Sequence, residues 1–107
     1  MTITRDEALQ RLEAVVAAHG ANYKPSGTCR YFSEDGDPEC IIGHAFVDEL
    51  RAAGVRVGNH NTMTVSVLAD RHVLDVDGSA RNLLHRAQAQ QDAGETWGVA
   101  LAKAKAV

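Results

Sequence analysis

Long apolar runs are missing from this chain, and no stretch approaches the ~18 residues that a membrane-spanning helix requires. The opening Met1-Thr2-Ile3-Thr4-Arg5 leads straight into a helical pattern without the apolar heart of a signal peptide. A cytoplasmic protein with no membrane partner is the expectation. Cysteine is scarce as well. Two thiols without a secretion signal read as reduced side chains rather than a disulfide framework. Aromatic residues are few: Tyr23, Tyr31, Phe32, Phe46 and Trp97. Leu, Val, Ile and Ala must therefore fill the interior, which suits close helix packing better than stacked sheets. There is no run of Lys or Arg, so phosphate backbones have little electrostatic hold and nucleic acid is not an expected partner.

What remains is the composition of an ordinary globular chain, 45% hydrophobic and 23% charged, with a length of 107 residues that suits one domain over 1–107. The formal charge of −3 is unevenly spread. Residues 29–54 set two arginines against six carboxylates, a net −4, whereas the segments on either side are close to neutral. An acidic middle of this kind is either a solvated face or the complement of a basic protein partner.

Helical signals dominate. Thr4 and Glu7 make the Thr-x-x-Glu pattern of a capping box, followed by Leu9, Leu12, Val16 and His19 at helical spacing and by Gly20 as a stop, so a helix is expected over 5–19. Residues 21–28 lack periodicity and contain Pro25 and Gly27, the marks of a loop, with Tyr23 folded onto the core. Asp35-Gly36 is a favoured two-residue turn, and it predicts a hairpin with Tyr31 facing Cys40 and Cys29 facing Ile42. Pro38 restricts the second strand to an edge, and a helix starting at Asp37 with Pro38 as its first residue is the rival reading. From Gly43 the period is helical, with Ile42, Phe46, Leu50 and Ala53 on one stripe and Gly54 as the end. Val55–Gly58 reads as an extended connection, and Thr64–Asp70 as a short helix despite its β-branched residues. Asp77 or Ser79 can cap a helix carrying Leu83, Leu84 and Ala87, whose later part, Gln88–Asp92, is polar nearly all round and reads as a solvated face or a protein contact. Thr96 can cap a last helix with Trp97, Ala100, Leu101 and Ala104 on one side. The fold expected is mainly α (α+β): a compact bundle of four or five short helices with one small β-hairpin.

Candidate chemistry gathers at Cys29, Cys40 and His44. A structural zinc site needs four ligands and a catalytic one three with an open position. The spacing Cys-x10-Cys-x3-His has no Cys-x2-Cys knuckle and would need His60 or a carboxylate to complete it, so two small buried thiols are the simpler reading. Cys40 and His44 could alternatively form a thiolate–imidazole pair at a helix start, against the acidity of the same stretch. His19 suits the last turn of the first helix, where an imidazole complements the dipole. His72 and His85 lack any metal-type companion. Neither a phosphate-cradling glycine loop nor a Gly-x-Ser-x-Gly elbow is present, so no cofactor is expected and the balance leans away from an enzyme. Residues 62–86 admit a helix-turn-helix reading with Arg81 and Asn82 near the second helix start, but Arg71, Arg81 and Arg86 are its only basic side chains.

The run from Tyr31 to Phe46, with its Pro38-Glu39-Cys40-Ile41-Ile42-Gly43-His44 centre, resembles a pattern in small uncharacterised proteins of actinobacteria and their phages. The closing Gln91-Asp92-Ala93-Gly94-Glu95-Thr96-Trp97-Gly98-Val99-Ala100-Leu101 is similar to their final segment, whereas residues 55–77 match poorly. The resemblance implies a phage or prophage accessory product and no catalytic residues. The expected function is a non-enzymatic module that binds a host protein or itself.

Overall fold

The computed structural model describes residues 2–24 and 30–106. Among these described residues six helices follow one another: α1 (Arg5–His19), α2 (Ile41–Ala45), α3 (Val47–Ala52), α4 (Val65–Asp70), α5 (Gly78–Asp92) and α6 (Trp97–Lys105). The helical class is as expected, with one or two more helices than the sequence suggested. None of them is long and apolar enough to cross a membrane.

Every helix start but that of α3 carries a side-chain cap. Thr4, Thr64, Asp77 and Thr96 each take an extended backbone, and each side-chain oxygen accepts from the amide three residues on. Cys40 fills the same position for α2, with its sulfur accepting from the Gly43 N–H at 3.3 Å. The helix expected to run on from Gly43 is broken at Phe46 (φ −127°, ψ 34°) into α2 and α3. Its stripe survives the break: Ile42, Phe46 and Leu50 are all buried, and the Phe46 and Leu50 amides still donate four residues back. Ala53 alone falls outside it, exposed beyond the end of α3.

α5 is the axis of the molecule, contacting α1, α2, α4 and α6. Ala80, Leu83, Leu84 and Ala87 on it meet Leu12 of α1, Ile41 and Ile42 of α2, Leu68 of α4 and Trp97 of α6 in one core cluster. Ile3 joins that cluster, and its backbone pairs with the strand-like residues before α5, donating to Asp75 O and accepting from Asp77 N.

The expected hairpin is corrected. Among the described residues only Phe32 and Pro38 form a bridge there, and no ladder extends from it. The turn takes three residues, Glu34-Asp35-Gly36, rather than two. Gly36 supplies φ +87°, Gly36 N donates to Ser33 O, and Ser33 N donates to Asp37 O. That extra residue shifts the register by one, so Phe32 faces Pro38 and Tyr31 no longer faces Cys40. Pro38 offers no N–H to continue a ladder, and from Ile41 the chain is already helical. The rival helix start, with Pro38 as first residue, is therefore three residues early. Cys29, and with it the expected Cys29–Ile42 pair, lies outside the described residues.

Candidate functional site

The predicted site residues separate on inspection. Cys40 is 2% exposed and serves as a helix cap. His44, one turn later in α2, is half-buried against other rings, and no hydrogen bond joins the two side chains among the described residues. His60 stands on the loop before α4 with a left-handed backbone (φ 61°), and its Nδ1 is 2.9 Å from Asn59 Oδ1. Cys29 is outside the described residues, among which no three His, Cys, Asp or Glu gather closely enough to hold a metal ion. Of the basic residues in the helix-turn-helix reading, Arg81 is paired with Asp70 at 2.7 Å, Arg71 is exposed at the end of α4, and Arg86 is partly buried.

The polar tract on α5 is the larger correction. Gln88 and Gln91 are 4% and 6% exposed and neither face solvent nor await a partner. Gln88 Oε1 accepts from the Val65 N–H at 2.8 Å, the first amide of α4, while Gln88 Nε2 donates to Tyr31 Oη, which in turn donates to Met63 O at 2.6 Å. Gln91 Oε1 accepts from the Ile41 N–H at 2.8 Å, the first amide of α2, and from Trp97 Nε1 at 2.9 Å. Asn61 completes the set by pairing its side-chain amide with both backbone groups of Phe32. Buried amides of this kind stabilise only when all their partners are present, and among the described residues no buried side-chain polar atom lacks one. A signal was available in the sequence: 84, 87, 88 and 91 continue the core stripe of α5 at helical spacing.

Two surfaces among the described residues combine exposed side chains with features that could bind a partner or ion. The first is a groove of about 290 Å³ beside the Glu34–Gly36 turn. Phe32 and Val55, both buried, form its floor, and Val57 stands 49% exposed at its mouth. The Arg51 guanidinium lies 5.5 Å from the Phe32 ring centre and donates to Gly36 O at 2.9 Å, which fixes the turn over the groove. Glu34, Asp35 and Asp37 are exposed on that turn, and among the described residues none forms an ion pair.

The second surface is a ring cluster where the ends of α1 and α2 meet the start of α6. The His19 and His44 ring centres are 4.4 Å apart, both lie 5.4 Å from Trp97, and Tyr23 covers Trp97 at 4.4 Å. Tyr23 is held there by backbone bonds, since Trp97 N donates to Tyr23 O and Gly98 N to Ala21 O. Burial, then the neighbouring His19, holds the proton affinity of His44 below that of an ordinary histidine. The unfolded chain therefore takes up this proton more readily than the fold does. The contribution of neutral His44 is fully present above pH ~6.5 and declines as the pH falls through that value toward the lowered one. Thermal unfolding at pH 7.5 and 5.5 is expected to show a smaller acid-side loss of Tm for His44→Gln than for the wild type. Equal losses would mean that His44 carries none of the dependence.

No protein-family model matches this chain, and the searches of curated proteins and of solved structures returned no match.

Proposed function

We propose that this protein is a non-enzymatic protein-binding module, a phage or prophage accessory product, that docks a basic segment of a host cytosolic protein in the groove beside the Glu34–Gly36 turn. The observation that carries this reading is Val57. A branched apolar side chain left 49% exposed at the mouth of an apolar-floored groove gains by being covered. Charge supports a basic occupant. Glu34 lines the groove, Asp35 and Asp37 stand exposed on the same turn, and among the described residues none of the three forms an ion pair; of the two arginines on the lining, Arg51 is engaged with the turn and the Phe32 ring and Arg56 donates to Gly54 O at 3.4 Å. Complementary charge of this kind speeds encounter and fixes orientation, while the apolar anchor supplies affinity. The likeness of the Tyr31–Phe46 run to small actinobacterial and phage proteins supports the setting.

The test is an amide-shift titration with a short peptide that places lysines on both sides of one leucine, beside a glutamate version of the same peptide. The lysine peptide is expected to move the Phe32, Gly36 and Val57 amides and to bind more weakly as salt is raised. Val57→Ser should weaken it several-fold, on the order expected for losing half a valine's burial, and Asp35→Lys with Asp37→Lys should remove it. Equal binding of both peptides, or shifts away from the groove, would overturn the proposal.

A further inference from the structure

We propose that His19 and His44 together form a two-imidazole site for a divalent transition metal ion of the copper, nickel and zinc class, separate from the groove. The pair is the one place among the described residues where two histidine rings meet. His60 Nδ1 is engaged with Asn59 and His85 Nδ1 with Ser66, whereas among the described residues no ring nitrogen of His19 or His44 has a hydrogen-bond partner.

The spacing suits a shared ion. Imidazole nitrogens bind zinc or copper at about 2.1 Å, which places each ring centre about 3.2 Å from the metal, so two such ligands at right-angle to tetrahedral angles stand roughly 4.5–5.2 Å apart. The observed separation is 4.4 Å, with the ring planes inclined by 60°. A small rotation of the exposed His19 ring is enough to open it to that range. His19 is the last residue of α1, a helix of 15 residues, so the negative end of the helix dipole faces the same place. Buried Trp97 walls the site on its inner side, and exposed Tyr23 lies 5.4 Å from the His19 ring. With two protein donors, the remaining positions of the ion are left to solvent or a small ligand, the open arrangement that imidazole pairs give with copper, nickel and zinc.

Trp97, the chain's only tryptophan, provides the readout, because both imidazoles are 5.4 Å from its ring. Titrating tag-free protein with Cu(II) alone is expected to quench its fluorescence saturably and reversibly on adding a chelator. Zn(II) should compete without quenching as strongly, since it lacks unpaired electrons. His19→Ala, at an exposed position that leaves the core intact, should weaken binding at least tenfold, and His44→Gln should do the same. His60→Ala and His85→Ala should leave it unchanged, and circular dichroism checks that each variant is folded. Quenching that survives His19→Ala in folded protein, or that never saturates, would overturn the assignment.

Discussion

Replacing Gln91 with Leu is expected to lower stability by about 3 kcal/mol or more and to drop Tm by roughly 10–20 °C. The side chain would still fill its space, so the loss isolates the amide. Gln91 Oε1 accepts from two buried donors at once, the first N–H of α2 and the indole N–H of Trp97. Leucine leaves both without a partner, and each orphaned buried donor costs about 1–3 kcal/mol. A helix of five residues has no stability of its own to offset this. Chemical denaturation followed by Trp97 fluorescence measures the effect. A loss below about 1 kcal/mol would show that the two donors find other acceptors and that the bridge is not a stabilising element.

Gly43→Ala is expected to be comparably damaging, against the direction that helix propensity predicts. Within a helix, alanine is favoured over glycine by about 1 kcal/mol. Here a Cβ at position 43 would fall onto the Tyr31 carbonyl oxygen and lie 3.1 Å from its carbon. That oxygen cannot retreat freely, because it accepts from the Glu39 N–H at 2.9 Å, and Tyr31 is anchored by its hydroxyl to Met63 and Gln88. A destabilisation of about 2–3 kcal/mol follows from overpacking of this kind. Gly78→Ala is the control, since an added methyl there meets nothing within 4 Å and the same helix preference operates. Opposite signs for the two variants would separate steric approach from propensity. A neutral Gly43→Ala would mean that α2 can move away from the Tyr31 segment.

The contrast between the two glycines shows which parts of the fold were legible in the sequence. Caps and stripes are local, and Thr4, Asp77 and Thr96 begin the helices that their spacing predicted, whereas the helix over 65–70 was read from context and its cap is Thr64. The hairpin failed on a local ambiguity, because Glu34-Asp35-Gly36 serves a three-residue turn as well as Asp35-Gly36 serves a two-residue one, and Gly36 has the same left-handed backbone requirement in both. Gln88 and Gln91 were misread for another reason. Their type says surface, and only the partners brought in by residues 41, 65 and 97 make burial tolerable. The two-histidine pair was illegible for the same cause: positions 19 and 44 are joined by no spacing rule, only by the meeting of α1 with α2. The acidity of the stretch beside the groove was legible as a count of charges, while the apolar floor depended on the turn register.

The bonds from α5 to the first amides of α2 and α4 have a consequence for the growing chain. Ile41 waits for Gln91, fifty residues later, and Val65 for Gln88. Helices of five and six residues do not persist unaided. As synthesis proceeds from the N-terminus, the middle third must therefore leave the ribosome without its final shape. A nascent chain halted before the Gln88–Trp97 stretch would lack the acceptors for both helix starts and the helix on which α1 packs.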